Sequence, residues 1–389
     1  MNQSQPRFAG RPEILRPTFE NWIATPDPFP AHSDYTVKTV WTRYARNGFE
    51  WDIRGTLFIP AVEAMPGVGF TLLHGGAGSE MECVETPDGR PGLAALLAER
   101  GYRSLSISFP GHLPLSGEWT DSVETRQPCY LLDQALPDKE IARRNLACTY
   151  NTIVQGAAQL ADEHMAGYEV VSFGHSTGGP MSISLQRFAK RFKLMGIAGW
   201  GSGGPDGWSR ERMEMTKKDP DAGSKPIGSV ARRTVESFRR SGYEDDLDLT
   251  PWGPAERYFD WAFKYKAQFK TCLCDNQHGG SVERLLEYSP ITGIDRLEYV
   301  DHLLDPAPDF LASTPVLLLA GMSDKGHWIS GETEHEKLEP FMARKFAQRT
   351  PRTRLVIVPR FGHFGFAGAH NEAIVHCWLE ALKSGFFSV

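Results

Sequence analysis

The chain has 389 residues, of which 41% are hydrophobic and 23% charged, with a formal net charge of −6. That length supports a large core and more than one domain, and the mildly acidic balance excludes the clustered basic footprint of a nucleic-acid binder. No run approaches the roughly 18 consecutive apolar residues of a membrane span, and the polar start "MNQSQPRFAGRPEILRP" carries no apolar signal core, so a cytoplasmic protein without membrane or nucleic-acid partners is expected.

Residues 1–33 are proline-rich and irregular, and read as an N-terminal arm over the surface. Next, "YTVKTVWTRY" and "EWDIRGTLFIPA" are β-rich runs joined by "ARNGF", whose Asn-Gly predicts a hairpin at a sheet edge. The pattern then changes. Short apolar strands at 68–74, 102–108, 168–173 and 194–200 alternate with helical stretches at 92–101, about 139–166 and 179–193. Residues 205–310 break the alternation with no clear apolar strand, and a structureless loop of that length is improbable, so a mostly helical insertion is expected there. It holds the aromatic-rich "PWGPAERYFDWAFKYKAQF", readable as the insertion's own core or as a lid over an apolar pocket with Trp252 and Trp261. Strands at 314–321 and 353–359, with helices at 337–350 and 371–386, close the chain. The pattern predicts an α/β fold: an open, mostly parallel sheet with helices on both faces, built from 34–204 and 311–389.

The six cysteines, Cys83, Cys129, Cys148, Cys272, Cys274 and Cys377, are scattered rather than spaced as a framework, and read as reduced thiols. "TCLCDNQHGG" brings Cys272, Cys274 and His278 close in sequence, but C-x-C without a second ligand pair is not zinc-site spacing, and no metal is expected.

Chemistry concentrates at "GHSTGG", where Ser176 sits between Gly174 and Gly178. A bare G-x-S-x-G arises often by chance. Here it ends a strand and opens a helix, the setting in which glycines relieve the crowding of a strained turn and expose a serine. A hydroxyl needs a base, and the base a carboxylate that fixes its tautomer. Asp324 in "MSDKGHW" and His363 in "RFGHFGF" each follow a late apolar strand, at the sheet edge where open α/β sheets bind ligands.

Four signatures, "LLHGGAGS", "FPGH", "GHSTGG" and the late Asp plus "FGHFGF", resemble the α/β-hydrolase fold superfamily over nearly the whole chain. The resemblance implies a nucleophile at Ser176, a base at His363, an acid at Asp324 and a helical cap after the sixth strand. It also implies oxyanion donors at Gly76, with Gly75 and Ala77 as neighbours able to take the role, and at Thr177. Asp206 is the rival acid, since some members carry theirs after the sixth strand; Asp275 and Asp301, in the insertion, are poor candidates. His74 and His175 are expected to support loops, His112 to pack near the pocket and His327 to line its entrance. His278, His302 and His335 read as exposed or structural. Glu80 is open between a polar substrate contact and a solvated residue.

The expected activity is hydrolysis of an ester, lactone or related carbonyl compound through an acyl-serine, without metal or organic cofactor. The expected partner is a small, apolar or aromatic substrate, and a homodimer is left open. Three other readings stay alive: carbon–carbon cleavage of a diketone, acyl transfer of the homoserine acetyltransferase type, and a silent small-ligand receptor. The absence of a Gly-His-Asp run in "FGHFGF" counts against acyl transfer, and the intact Ser, His and Asp count against the receptor.

Overall fold

The computed structural model describes residues 11–23, 34–46, 49–75, 80–86, 89–109, 130–131, 150–176, 178–201, 229–232, 269–271, 313–322, 324, 350–368 and 370–388. In chain order the strands are β1 (Glu13–Leu15), β2 (Tyr35–Arg46), β3 (Phe49–Pro60), β4 (Val68–Leu73), β5 (Arg103–Ile107), β6 (Tyr130–Leu131), β7 (Glu169–His175), β8 (Lys193–Trp200), β9 (Ser229–Arg232), β10 (Phe269–Thr271), β11 (Val316–Gly321) and β12 (Thr353–Val358). The helices are α1 (Phe19–Ile23), α2 (Met81–Val84), α3 (Leu93–Glu99), α4 (Tyr150–His164), α5 (Gly178–Leu185) and α6 (Asn371–Lys383). The main sheet has nine strands in the order β1-β12-β11-β8-β7-β4-β5-β3-β2. The pairings from β1 across to β5 are parallel; β3 pairs antiparallel with both β5 and β2.

The continuous apolar runs sort by alternation into two cores. Phe70 and Leu72, Val171 and Phe173, Leu317 and Leu319, and Val356 and Val358 face one side, where α3 and α6 cover them with Leu93, Leu96, Leu97, Trp378 and Leu379. Leu73, Val170, Val316, Leu318, Leu355 and Ile357 face the other, under Ile153, Val154 and Leu160 of α4 and Met181 and Ile183 of α5. A strand buried on both faces has no polar phase, which is why these segments read as unbroken hydrophobic stretches. Trp378 is fully buried, its ring 4.8 Å from Phe173 and 6.2 Å from Phe70. Trp378→Ala is therefore expected to cost about 3–5 kcal/mol, read as a lowered urea midpoint at unchanged slope.

The hairpin of β2 and β3 forms one edge of the sheet, in register from Tyr35–Pro60 to Arg46–Phe49; its Asn-Gly turn lies outside the described residues. At the other edge the structure departs from expectation. The N-terminal segment is not wholly irregular: β1 pairs in parallel with β12, Glu13 opposite Arg354, and the two side chains form an ion pair of 2.8 Å. β1 covers an edge that β12 would otherwise leave open.

Helix α5 also ends earlier than its periodicity predicts, at Leu185 rather than residue 193. The Asp162 carboxylate accepts hydrogen bonds from the backbone N–H groups of Lys190 and Arg191 at 2.7–3.0 Å, and Gln186 Oε1 accepts from Leu194 N–H at 2.6 Å. These side chains draw the backbone out of the helix. Helix α4 accounts for the later part of the predicted 139–166 helix; residues 139–149 lie outside the described set.

Within 205–310 the described residues are β9 and β10, which join β6 in a separate three-stranded sheet. Residues 205–310 thus contain strand pairing that the sequence did not signal, and the helical insertion expected there falls outside the described residues.

Candidate active site

β7 delivers Ser176 at the C-terminal end of the sheet, beside β4. That is where the strand order reverses, since β5 lies on one side of β4 and β7 on the other. Ser176 has φ +50°, in the left-handed region that a non-glycine residue occupies at a cost of about 1–3 kcal/mol. Its N–H donates to the Trp200 carbonyl at 3.1 Å, and its own carbonyl accepts from Gly179 N–H at 3.1 Å. The flanking glycines are sterically required. A Cβ on Gly174 would stand 2.2 Å from the Gly178 carbonyl oxygen, and one on Gly178 would stand 2.3 Å from that of Leu73.

β11 and β12 bring the late acid and histidine together. Met322 N–H donates to Val358 O at 2.9 Å and Asp324 N–H to Gly321 O at 3.2 Å, turning the chain so that the Asp324 carboxylate points across to the next strand's end. His363 Nδ1 lies 3.0 Å from Asp324 Oδ2, and both residues are buried, 5% and 1% exposed. A carboxylate accepts, so Nδ1 carries the proton and Nε2 is the basic nitrogen of the neutral ring. Ser176 follows β7, Gly201 follows β8, Asp324 follows β11 and His363 follows β12, four consecutive strands of the sheet.

Two of the supporting groups were not among the sequence candidates. Gly201, with φ +54°, leaves the space that the pair occupies: a Cβ there would stand 2.8 Å from Asp324 Oδ2 and 2.9 Å from His363 Nδ1. Its only signal was the glycine-rich run after β8. Trp200 Nε1 donates to the Gly362 carbonyl at 3.1 Å and so fixes the turn that presents His363.

The other histidines here support loops, as expected. His74 Nδ1 donates to the Gly75 carbonyl at 2.6 Å, and its Nε2 accepts from Phe109 N–H at 3.1 Å, which ties the end of β4 to the segment after β5. His175 Nε2 donates to the His363 carbonyl at 3.0 Å. Its Nδ1 lies 3.3 Å from Glu82 Oε2, the same oxygen that accepts from Gly75 N–H at 3.3 Å. Glu82 is nearly fully buried and was also missed, because a glutamate in a four-residue helix carries no periodic signal.

Glu80 is not solvated, contrary to one of its two sequence readings; it is completely buried. Its carboxylate lies 2.9 Å from Arg54 Nε and accepts from the Ser108 hydroxyl, its N–H donates to Ser108 Oγ at 3.0 Å, and its carbonyl accepts from Ser106 Oγ at 2.7 Å. Burial pushes the Glu80 carboxyl above the ordinary carboxylate range, while Arg54 and Ser108 pull it the other way. Glu80 is thereby anchored immediately after residues 76–79, as Gly75 is anchored immediately before them.

Gly76 and Thr177 lie outside the described residues, as do His112, Trp252, Trp261, His327 and the rival acid Asp206. The described neighbours of the first two approach closely: a Cβ on Gly75 would stand 3.3 Å from the Ser176 Cβ. Cys272, Cys274 and His278 are outside the described set too. Among the described residues Cys83 is buried and Cys377 half-buried, no group of side chains is arranged to hold a metal ion, and no helix is long and apolar enough to cross a membrane.

Comparison with known proteins agrees with this topology. Residues 72–376 match the model of the alpha/beta hydrolase family. No curated protein sequence matches the chain. Solved structures that resemble it include 2-hydroxy-6-oxo-6-phenylhexa-2,4-dienoate hydrolase from Rhodococcus sp. strain RHA1, at 15% identity over 90% of this chain and 100% of that one, with a TM-score of 0.47. MenH from S. aureus resembles it at 14% identity over 85% and 98%, TM-score 0.48. An M. tuberculosis esterase does so at 13% identity over 89% and 92%, TM-score 0.45. Likeness at this level speaks to neither substrate nor mechanism, and membership rests on the family model, which spans most of the chain and includes Ser176, Asp324 and His363. The chain belongs to the α/β hydrolase family.

Proposed function

We propose that the protein is a serine hydrolase that cleaves an ester, lactone or related carbonyl bond of a small apolar or aromatic molecule through an acyl-serine intermediate. The observation that carries the reading is the buried His363–Asp324 hydrogen bond of 3.0 Å, at the ends of the strands two and three places from β7, whose end carries a serine held at φ +50°. Ser176 Oγ attacks the carbonyl carbon and its proton passes to His363 Nε2, while Asp324 holds Nδ1–H and stabilises the imidazolium. The backbone N–H groups of Gly76 and Thr177 receive the oxyanion. The tetrahedral species collapses, and the leaving alcohol takes the proton from His363. Water then attacks the acyl-serine with His363 again as base, releasing the carboxylic acid and free Ser176. No step calls for a metal or organic cofactor. The aromatic stretch 252–269 supports an enclosed apolar substrate, with Trp252, Trp261, His112 and His327 as proposed pocket residues.

The test is to treat the native protein with a fluorophosphonate and map the modified peptide, alongside a screen of short-chain and aryl esters, lactones and β-diketones. Modification at Ser176 with release of acid and alcohol supports the reading. No modification, or modification elsewhere, overturns the serine mechanism, and two carbonyl products from a diketone with no ester turnover redirects it to carbon–carbon cleavage.

Gly201→Ala tests the acid–base pair without removing either member. Its methyl group enters space within 3 Å of both Asp324 Oδ2 and His363 Nδ1. Displacement on the order of 1 Å is expected to lower kcat about 100-fold with KM little changed, measured on whichever ester proves the best substrate.

A further inference from the structure

The site holds a second buried histidine–carboxylate contact to which the mechanism above gives no role. We propose that Glu82 and His175 act as a positioning pair, one carboxylate fastening the oxyanion-loop strand, the nucleophile turn and the main chain of the base to one another. The proposal rests on the assignment of Ser176 and His363 given above. Three strand ends meet here. Gly75, after β4, donates its N–H to Glu82 Oε2 at 3.3 Å and immediately precedes Gly76. His175, the last residue of β7, immediately precedes Ser176 and faces the same oxygen through Nδ1 at 3.3 Å. His363, after β12, gives its carbonyl to His175 Nε2 at 3.0 Å.

The hydrogen-bond roles constrain one another. A carbonyl only accepts, so Nε2 must carry a proton. Oε2 accepts from Gly75, and Nδ1 approaches that oxygen too, so the arrangement is satisfied either by an imidazolium donating from both nitrogens to a carboxylate or by a neutral ring whose Nδ1 accepts from a protonated Glu82. In either form the proton is shared between two nearly fully buried groups, where a hydrogen bond is stronger than in water. The ring has little freedom to turn: it packs 4.3 Å from Phe366, 5.5 Å from Phe364 and 4.7 Å from His363, centroid to centroid. The absent side chain at Gly75 is what lets the strand end come this close, since a Cβ there would stand 2.7 Å from His175 Nδ1. Asp324 orients the His363 side chain; His175 fixes its backbone. The two devices are complementary, and only the first is written into the Ser–Asp–His order.

Glu82→Gln keeps the shape but removes the titratable proton: its carbonyl oxygen leaves a charged His175 uncompensated, and its NH2, if turned on Nδ1, opposes the Gly75 N–H. His175→Phe keeps the ring against Phe364 and Phe366 and removes both nitrogens. Inactivation by a fluorophosphonate, resolved into kinact and KI, is the readout. Each variant is expected to lower kinact about 10- to 100-fold, the scale of small misplacements, with KI within about threefold, and the double variant to be no slower than the worse single one, since the residues work as a unit. Wild-type kinact in either folded variant overturns the proposal. So do KI changes as large as those in kinact, or losses that multiply in the double variant. Should Glu82→Gln not fold, His175→Phe decides by the same split. If wild-type protein is not labelled at Ser176, the serine mechanism falls and this proposal with it; if it is labelled and the variants react as fast, only the positioning pair falls.

Discussion

Alanine at position 176 is expected to abolish fluorophosphonate labelling and to lower turnover by about 10^6-fold, the scale seen when a triad nucleophile is lost. The residual rate over water would come from binding and from the proposed oxyanion donors, whose main-chain groups the substitution does not remove. The backbone supplies a second readout on the same experiment. Ser176 is held at φ +50° by Trp200 O and Gly179 N–H rather than by its own preference. Ser176→Gly removes the same hydroxyl but suits that conformation, so it is expected to be equally inactive and about 1 kcal/mol more stable than Ser176→Ala. Equal urea midpoints for the two variants would argue that the turn carries no strain. Turnover surviving in both would remove Ser176 from the chemistry.

Asp324→Asn is expected to lower kcat about 10^4-fold while the fold is kept. The asparagine has the same shape, and the turn it sits in is held by backbone bonds from Met322 and Asp324 N–H that the substitution does not touch. What changes is the proton. Asp324 Oδ2 can only accept from His363 Nδ1, which leaves Nε2 basic; an amide NH2 at that position donates to Nδ1 and moves the ring proton to Nε2, the nitrogen that must accept from Ser176. Melting temperature close to wild type with kcat collapsed is the expected pair of measurements. Near-wild-type turnover would displace Asp324 as the acid, and Asp206→Asn would then be the variant to measure.

Much of this frame can be read from residue order. The strand runs stand out because parallel strands in a covered sheet are apolar on both faces, and Leu317–Leu319 against Val316–Leu318 shows one run feeding two cores. Ser176, Asp324 and His363 stand out because each directly follows such a run. What stays hidden is whatever depends on approach through space. Gly201 matters because β8 ends beneath the Asp324–His363 pair, and Glu82 because a short helix folds back onto β7; neither neighbourhood leaves a trace in local pattern. The early end of α5 is hidden likewise, since Asp162 lies 28 residues before the amide it captures. β1 is too short, at three residues, for any alternation to register.

The pairing of β1 with β12 bears on how the molecule comes together. Glu13 and Arg354 are separated by 341 residues, so this edge is among the least local contacts in the fold. Closing so long a loop costs entropy before any pairing energy returns. On the ribosome the two strands are made on the order of tens of seconds apart at ordinary elongation rates. Ser176 and Trp200, by contrast, emerge close together and can set the strained turn early. His363 arrives only with β12, so the same late event that closes the sheet edge also completes the proposed reacting centre. On the proposed mechanism a nascent or truncated chain lacking β12 would carry its serine yet be chemically silent, and the onset of fluorophosphonate reactivity would report the docking of the last strand.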